Sequence, residues 1–151
     1  MKKFILGLAA TAAVAVPLAA MAGAASAAPA PAAKATGSVT WDFNGEFNGT
    51  VRFDANNNTG GTLDYTNSFG SWLHGTVTPG TVVKAGNTVT FRGTFSEGSP
   101  NYDRLGDANY FVGVVTDGGT SGRNGDKIAV FVNEKAYDVA ADVTGGNLTV
   151  H

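Results

Sequence analysis

The feature that most constrains this chain is an alternation of period two. Phe47, Gly49, Val51 and Phe53 fall on one side of a run whose other side is Asn48, Thr50, Arg52 and Asp54. Val89, Phe91, Gly93 and Phe95 alternate in the same way with Thr88, Thr90, Arg92 and Thr94. Tyr110, Val112 and Val114 interleave with Phe111, Gly113 and Val115, and Ile128, Val130 and Val132 repeat the scheme. Successive side chains of a strand point to opposite faces, so each run predicts a strand with one apolar and one wet face. No long stripe of helical period interrupts the pattern.

The punctuation agrees with strands. Asn56-Asn57-Asn58-Thr59-Gly60-Gly61, Pro79-Gly80, Ala85-Gly86-Asn87, Asp117-Gly118-Gly119 and Asn124-Gly125-Asp126 are turn sequences, and Gly145-Gly146-Asn147 reads as a turn before a last short strand. The predicted fold is all-β: a single-domain antiparallel sandwich or flattened barrel of about eight to ten strands. Glycines at strand positions, Gly49, Gly75, Gly93 and Gly113, predict bulges, tight bends or close approach of a neighbouring backbone.

The first 27 residues have a different texture. Met1-Lys2-Lys3 is a cationic start, Phe4 to Leu18 is an Ala-rich apolar core, and Ala25-Ser26-Ala27 is a small–x–small cleavage pattern. This predicts a signal peptide at 1–27 and a secreted, extracellular product. The apolar run falls short of the roughly 20 residues of a comfortable membrane span, and none as long follows, so no membrane span is expected after cleavage. Residues 28–36 read as a flexible Ala/Pro tether and 37–151 as the folded domain.

Composition narrows the function classes. The chain has no cysteine, which excludes disulfides and an N-terminal lipid on cysteine. Ten basic residues stand against twelve acidic; without Lys2 and Lys3 there are eight against twelve, a net charge of −4. The charges are scattered, which argues against nucleic acid and anionic membranes, since both select basic patches.

Three segments and the terminus together resemble a known family. They are Gly61-Thr62-Leu63-Asp64-Tyr65 with Leu73-His74-Gly75-Thr76-Val77; Gly86 to Gly93; Val115 to Ile128; and the ending Gly145-Gly146-Asn147-Leu148-Thr149-Val150-His151. Their order is similar to that of the post-COAP-type domains, small exported β domains of Gram-positive bacteria. The resemblance covers nearly the whole mature domain and implies a β fold. It carries neither an activity nor catalytic residues.

Several residue groups invite chemistry. Asp117, Asn124 and Asp126, in a Gly-rich loop, form a candidate calcium site of hard oxygen ligands; the same residues can equally close a turn by accepting backbone N–H bonds. Asp54, Asn56 and Asn58 mimic the opening of an EF-hand loop, but Thr59 and Tyr65 stand where that motif needs Gly and Glu. Glu46, Glu97 and Asp103 are the carboxylates available to a glycosidase. His74 and His151 have no third ligand at metal spacing, and Asp64, Ser71 and His74 lack a nucleophile elbow. Trp72, Tyr102 and Trp41 are candidate ligand-binding aromatics, with burial in the core as the competing role for the tryptophans. If Leu73 and Val77 face inward, Trp72 and His74 face solvent.

The expectation is a non-catalytic exported binding or structural module, whose partner is a surface glycan, a wall polymer or an extracellular protein. No cofactor motif is present, calcium being the one candidate. The alternatives are a carboxylate-dependent hydrolase of extracellular polymers and a secreted inhibitor or effector acting through the loop at 96–108.

Overall fold

The computed structural model describes residues 32–100, 109–119, 125–133, 135–136 and 141–151. These form ten strands: β1 (Lys34–Phe43), β2 (Phe47–Asn56), β3 (Gly60–Asn67), β4 (Trp72–Val77), β5 (Val83–Ala85), β6 (Thr88–Gly98), β7 (Tyr110–Thr116), β8 (Lys127–Val132), β9 (Lys135–Ala136) and β10 (Ala141–Val150). Among the described residues there is no α-helix. Strands neighbour one another in the order β10-β1-β2-β3-β4-β6-β7-β8, and β10 also pairs with β8. Eight antiparallel strands therefore close into a barrel, with β5 added on β6 and β9 on β8. Of the two architectures the pattern allows, the barrel is adopted.

Closure follows from the turn chemistry. Asn44 and Gly45 both take positive φ, 55° and 74°, as a tight β1–β2 hairpin requires. Asn56 Oδ1 accepts the Asn58 N–H at 2.9 Å and so closes the β2–β3 turn, which disposes of the EF-hand likeness. Asn67 Oδ1 accepts the Phe69 and Ser71 N–H groups at 3.1 and 3.0 Å and shapes the β3–β4 turn.

The alternation sends one face of every long strand inward. Val39, Trp41, Val51, Phe53, Leu63, Tyr65, Leu73, Phe91 and Phe111 are among the buried side chains. An eight-stranded barrel is just wide enough for its own side chains to fill. Here aromatic rings fill it: Trp41 stacks on Tyr65 at 6.0 Å, Phe53 on Phe91 at 5.7 Å, and Phe91 meets Phe111 edge-on at 6.3 Å.

The inward glycines answer to those rings. Gly37 pairs with Phe53 and Gly49 with Trp41 across β1–β2, while Gly93 pairs with Phe111 and Gly113 with Phe91 across β6–β7. A Cβ at Gly37 would stand 2.6 Å from the Phe53 ring, and one at Gly113 would enter the Phe91 ring. The expected close approach of a backbone is found at Gly49 and Gly93, where a Cβ would first meet the Thr66 and Thr76 carbonyl oxygens, and the expected irregularity falls between His74 and Gly75; at Gly113 the neighbour is the Phe91 ring alone.

Three boundaries differ from the sequence reading. β1 begins at Lys34, so Lys34, Ala35 and Thr36 belong to the barrel and not to the tether; Ala35 pairs with Val150 on one side and Ala55 on the other. β10 runs through Gly145-Gly146 without turning. There the register against β1 shifts between Thr40 and Trp41, and Gly146 has a φ of 86°, a bulge inside one strand. Ser96, Glu97 and Gly98 continue β6, so the start of the proposed effector loop is strand. Residues 101–108 lie outside the described residues.

Candidate functional site

The outer face of β1 to β4 carries two transverse rows, each set by register. The first joins Thr40, Thr50, Thr66 and Trp72 across four strands. The second joins Ser38, Arg52, Asp64 and His74, and continues to Glu97 on β6. Period-two alternation puts both rows outside because their sequence neighbours, such as Val39, Val51, Leu63, Tyr65 and Leu73, are buried.

Between the rows lies a shallow groove of about 430 Å³, lined by Ser38, Thr40, Thr50, Arg52, Asp64 and Thr66 together with Gly146. On that flank Gly145 and Gly146 pair with Thr40 and Val39, and the Thr144 hydroxyl on β10 lies 3.4 Å from the Thr40 hydroxyl. The Thr50 and Thr66 hydroxyls are 2.7 Å apart and each retains further hydrogen-bonding capacity toward solvent.

Trp72 stands at the end of the hydroxyl row with 43% of its surface exposed, as its alternation with Leu73 predicts. Its backbone is held on both polar groups. The Trp72 N–H donates to Ser99 Oγ at 2.8 Å, and the Ser99 N–H donates to the Trp72 carbonyl at 2.8 Å. Phe69, on the β3–β4 turn, is 70% exposed and leans on Phe47 at 5.1 Å. These rings share the rim of the barrel at which β1 passes into β2 and β3 into β4.

The charges of the second row are unevenly paired. His74 Nδ1–H donates to Asp64 Oδ1. That hydrogen bond, then the Asp64 charge, raises the His74 pKa above its usual 6.5, against slight desolvation and with some help from Glu97. Arg52, the register partner of Asp64 on its other side, is exposed. Among the described residues the ion pairs are Lys34–Asp54, His74–Asp64 and Lys127–Asp142, and Arg52 is in none of them.

The residues singled out from sequence fare differently. Trp72 lies where a ligand could reach it. Trp41 does not: it is 2% exposed and packed on Tyr65 inside the barrel, because its place on β1 is an inward one opposite Gly49. Tyr102, Asp103 and Asn124 lie outside the described residues. Asp117 accepts the Gly119 N–H at 2.8 Å and the Val150 N–H at 3.2 Å. Asp126, 2% exposed, accepts the Gly118 N–H at 2.8 Å. Both carboxylates therefore serve the turn-closing role that competed with calcium. Among the described residues no group of three or more His, Asp or Glu side chains is placed to hold a metal ion. Glu46 sits on the β1–β2 turn and Glu97 on β6, and neither lines the groove.

Sequence reading missed Arg52, Ser99 and the threonine row. The alternation marks Arg52 and the threonines as outward-facing, but only the strand register sets them side by side. Comparison with known proteins adds no assignment. No family model, curated protein or solved structure matches the chain. No helix among the described residues is long and apolar enough to cross a membrane.

Proposed function

We propose that this is an exported, non-catalytic binding module that holds a glycan or wall polymer along the outer face of β1 to β4. The observation that carries the reading is the exposed Trp72 ring at the end of a hydroxyl row that borders an open polar groove. An aromatic face offers an apolar platform to the C–H face of a sugar ring, and hydroxyl and charged groups beside it can meet the sugar hydroxyls. A shallow open groove suits a chain lying across the sheet. Export rests on the leader at 1–27 and the likeness to exported β domains on the motifs quoted above.

Retention of the mature protein on insoluble cell-wall polysaccharide tests the reading. Trp72→Ala should weaken retention about tenfold, the equivalent of roughly 1.4 kcal/mol and the scale of one lost ring contact. Phe131→Ala, changed on β8 away from the groove, should leave it unaltered. Equal retention of Trp72→Ala and the parent would reject the site.

A further inference from the structure

We infer that the groove is specific for an anionic polysaccharide, whose carboxylate or phosphate groups are received by Arg52. The inference rests on the binding reading above and adds the ligand's charge. Its basis is a competition for one carboxylate. Arg52 on β2 and His74 on β4 flank Asp64 on β3, each its direct cross-strand partner. Asp64 is hydrogen-bonded to His74, and no ion pair joins it to Arg52.

The guanidinium is therefore left on the groove wall with five donors and no ion-pair partner among the described residues. Arginine matches planar oxyanions with paired, charge-assisted hydrogen bonds, and such bonds exceed those between neutral groups. Among the described residues Arg52 is the one cationic side chain lining the groove, and the Ser38, Thr40, Thr50 and Thr66 hydroxyls around it can bind the neutral part of the same sugar unit.

The same arrangement makes binding depend on pH. The groups facing His74 are Asp64 on β3 and Glu97 on β6, with Arg52 on β2 beyond Asp64. Protonated His74 neutralises Asp64 and leaves the Arg52 charge to the ligand. As pH rises through the His74 pKa, which lies above 6.5, the imidazole loses its charge. The Asp64 charge is then unbalanced; it attracts Arg52 and repels an incoming anion. Affinity should be greatest at acid pH and fall as pH rises.

Affinity electrophoresis of the mature protein in two matched pairs of polymers tests this. One pair is polygalacturonate and its methyl ester, the other phosphorylated dextran and dextran. The charged member of at least one pair should retard the protein about tenfold more strongly than its neutral partner, and which pair responds separates carboxylate from phosphate. Arg52→Gln should abolish that difference. Asp64→Asn should hold the affinity at high pH where the parent loses it, a response that mere structural damage would not produce. Equal retardation by charged and neutral members, with Trp72 still required, overturns the charge specificity and leaves the binding reading standing. Retardation by none of the four, with no retention on wall polysaccharide, overturns both.

Discussion

At the scale of single residues, the barrel interior is organised by glycines set against aromatic rings. Gly113 faces Phe91 across β6–β7, and its Cα carries nothing because the ring occupies the place of a side chain. Its φ is not left-handed, so the constraint is steric alone. Gly113→Ala should therefore lower the stability measured by urea unfolding by about 1–3 kcal/mol, the usual cost of overpacking. Gly113→Ala combined with Phe91→Leu should recover part of what the two separate changes would sum to, since both act on the same space. The alternation made the inward placement of Gly113 legible in the sequence. Its ring partner was not, because pairing depends on register between strands remote in the chain.

At the scale of elements, the strands differ in how firmly they are joined. β1 is paired along its whole length with β2, from Lys34 to Phe43, and from Ala35 to Asp42 with β10. The seam that closes the barrel is much shorter. β10 meets β8 only through Ala141 with Ile128 and Asp142 with Lys127, supported by the Lys127–Asp142 ion pair at 2.6 Å. That pair is exposed, so it contributes little to holding the seam. In amide hydrogen exchange the Val143 N–H, which bonds to the Asp126 carbonyl at the seam, should exchange well before the Val39 and Val51 amides. Equal protection would mean that the barrel opens only as a whole. The seam was hidden in the sequence by Gly145-Gly146. Paired glycines usually mark a turn, but here they form a bulge that lets β10 continue beside β1. Local chemistry alone does not distinguish the two outcomes; the ten-residue partner strand decides.

For the whole molecule, fold class and strand number were readable because alternation and turn residues are local signals. The start of the domain was not. Lys34-Ala35-Thr36 follows an Ala/Pro run and lacks the Thr/Val texture of the later strands, yet it is clasped on both sides. A chain beginning at Gly37 should be less stable than one beginning at Ala32 by about 3 kcal/mol or more, since several hydrogen bonds worth about 1 kcal/mol each disappear. Thermal unfolding of the two chains measures the difference, and matching midpoints would show that the first turn of pairing is dispensable. The candidate site is legible in part: the alternation makes Trp72 exposed if Leu73 and Val77 face inward, as they do, whereas the role proposed for Arg52 rests on His74 occupying Asp64. The clasp also sets a direction. Lys34 and His151 exchange backbone hydrogen bonds at 3.3 and 2.8 Å, so the two ends of the domain leave from the same rim. The Trp72 and Phe69 rings stand at the opposite rim, about 25 Å away along β1 at strand rise. Anchored by either end, the molecule would point its aromatic crown away from whatever it is fastened to.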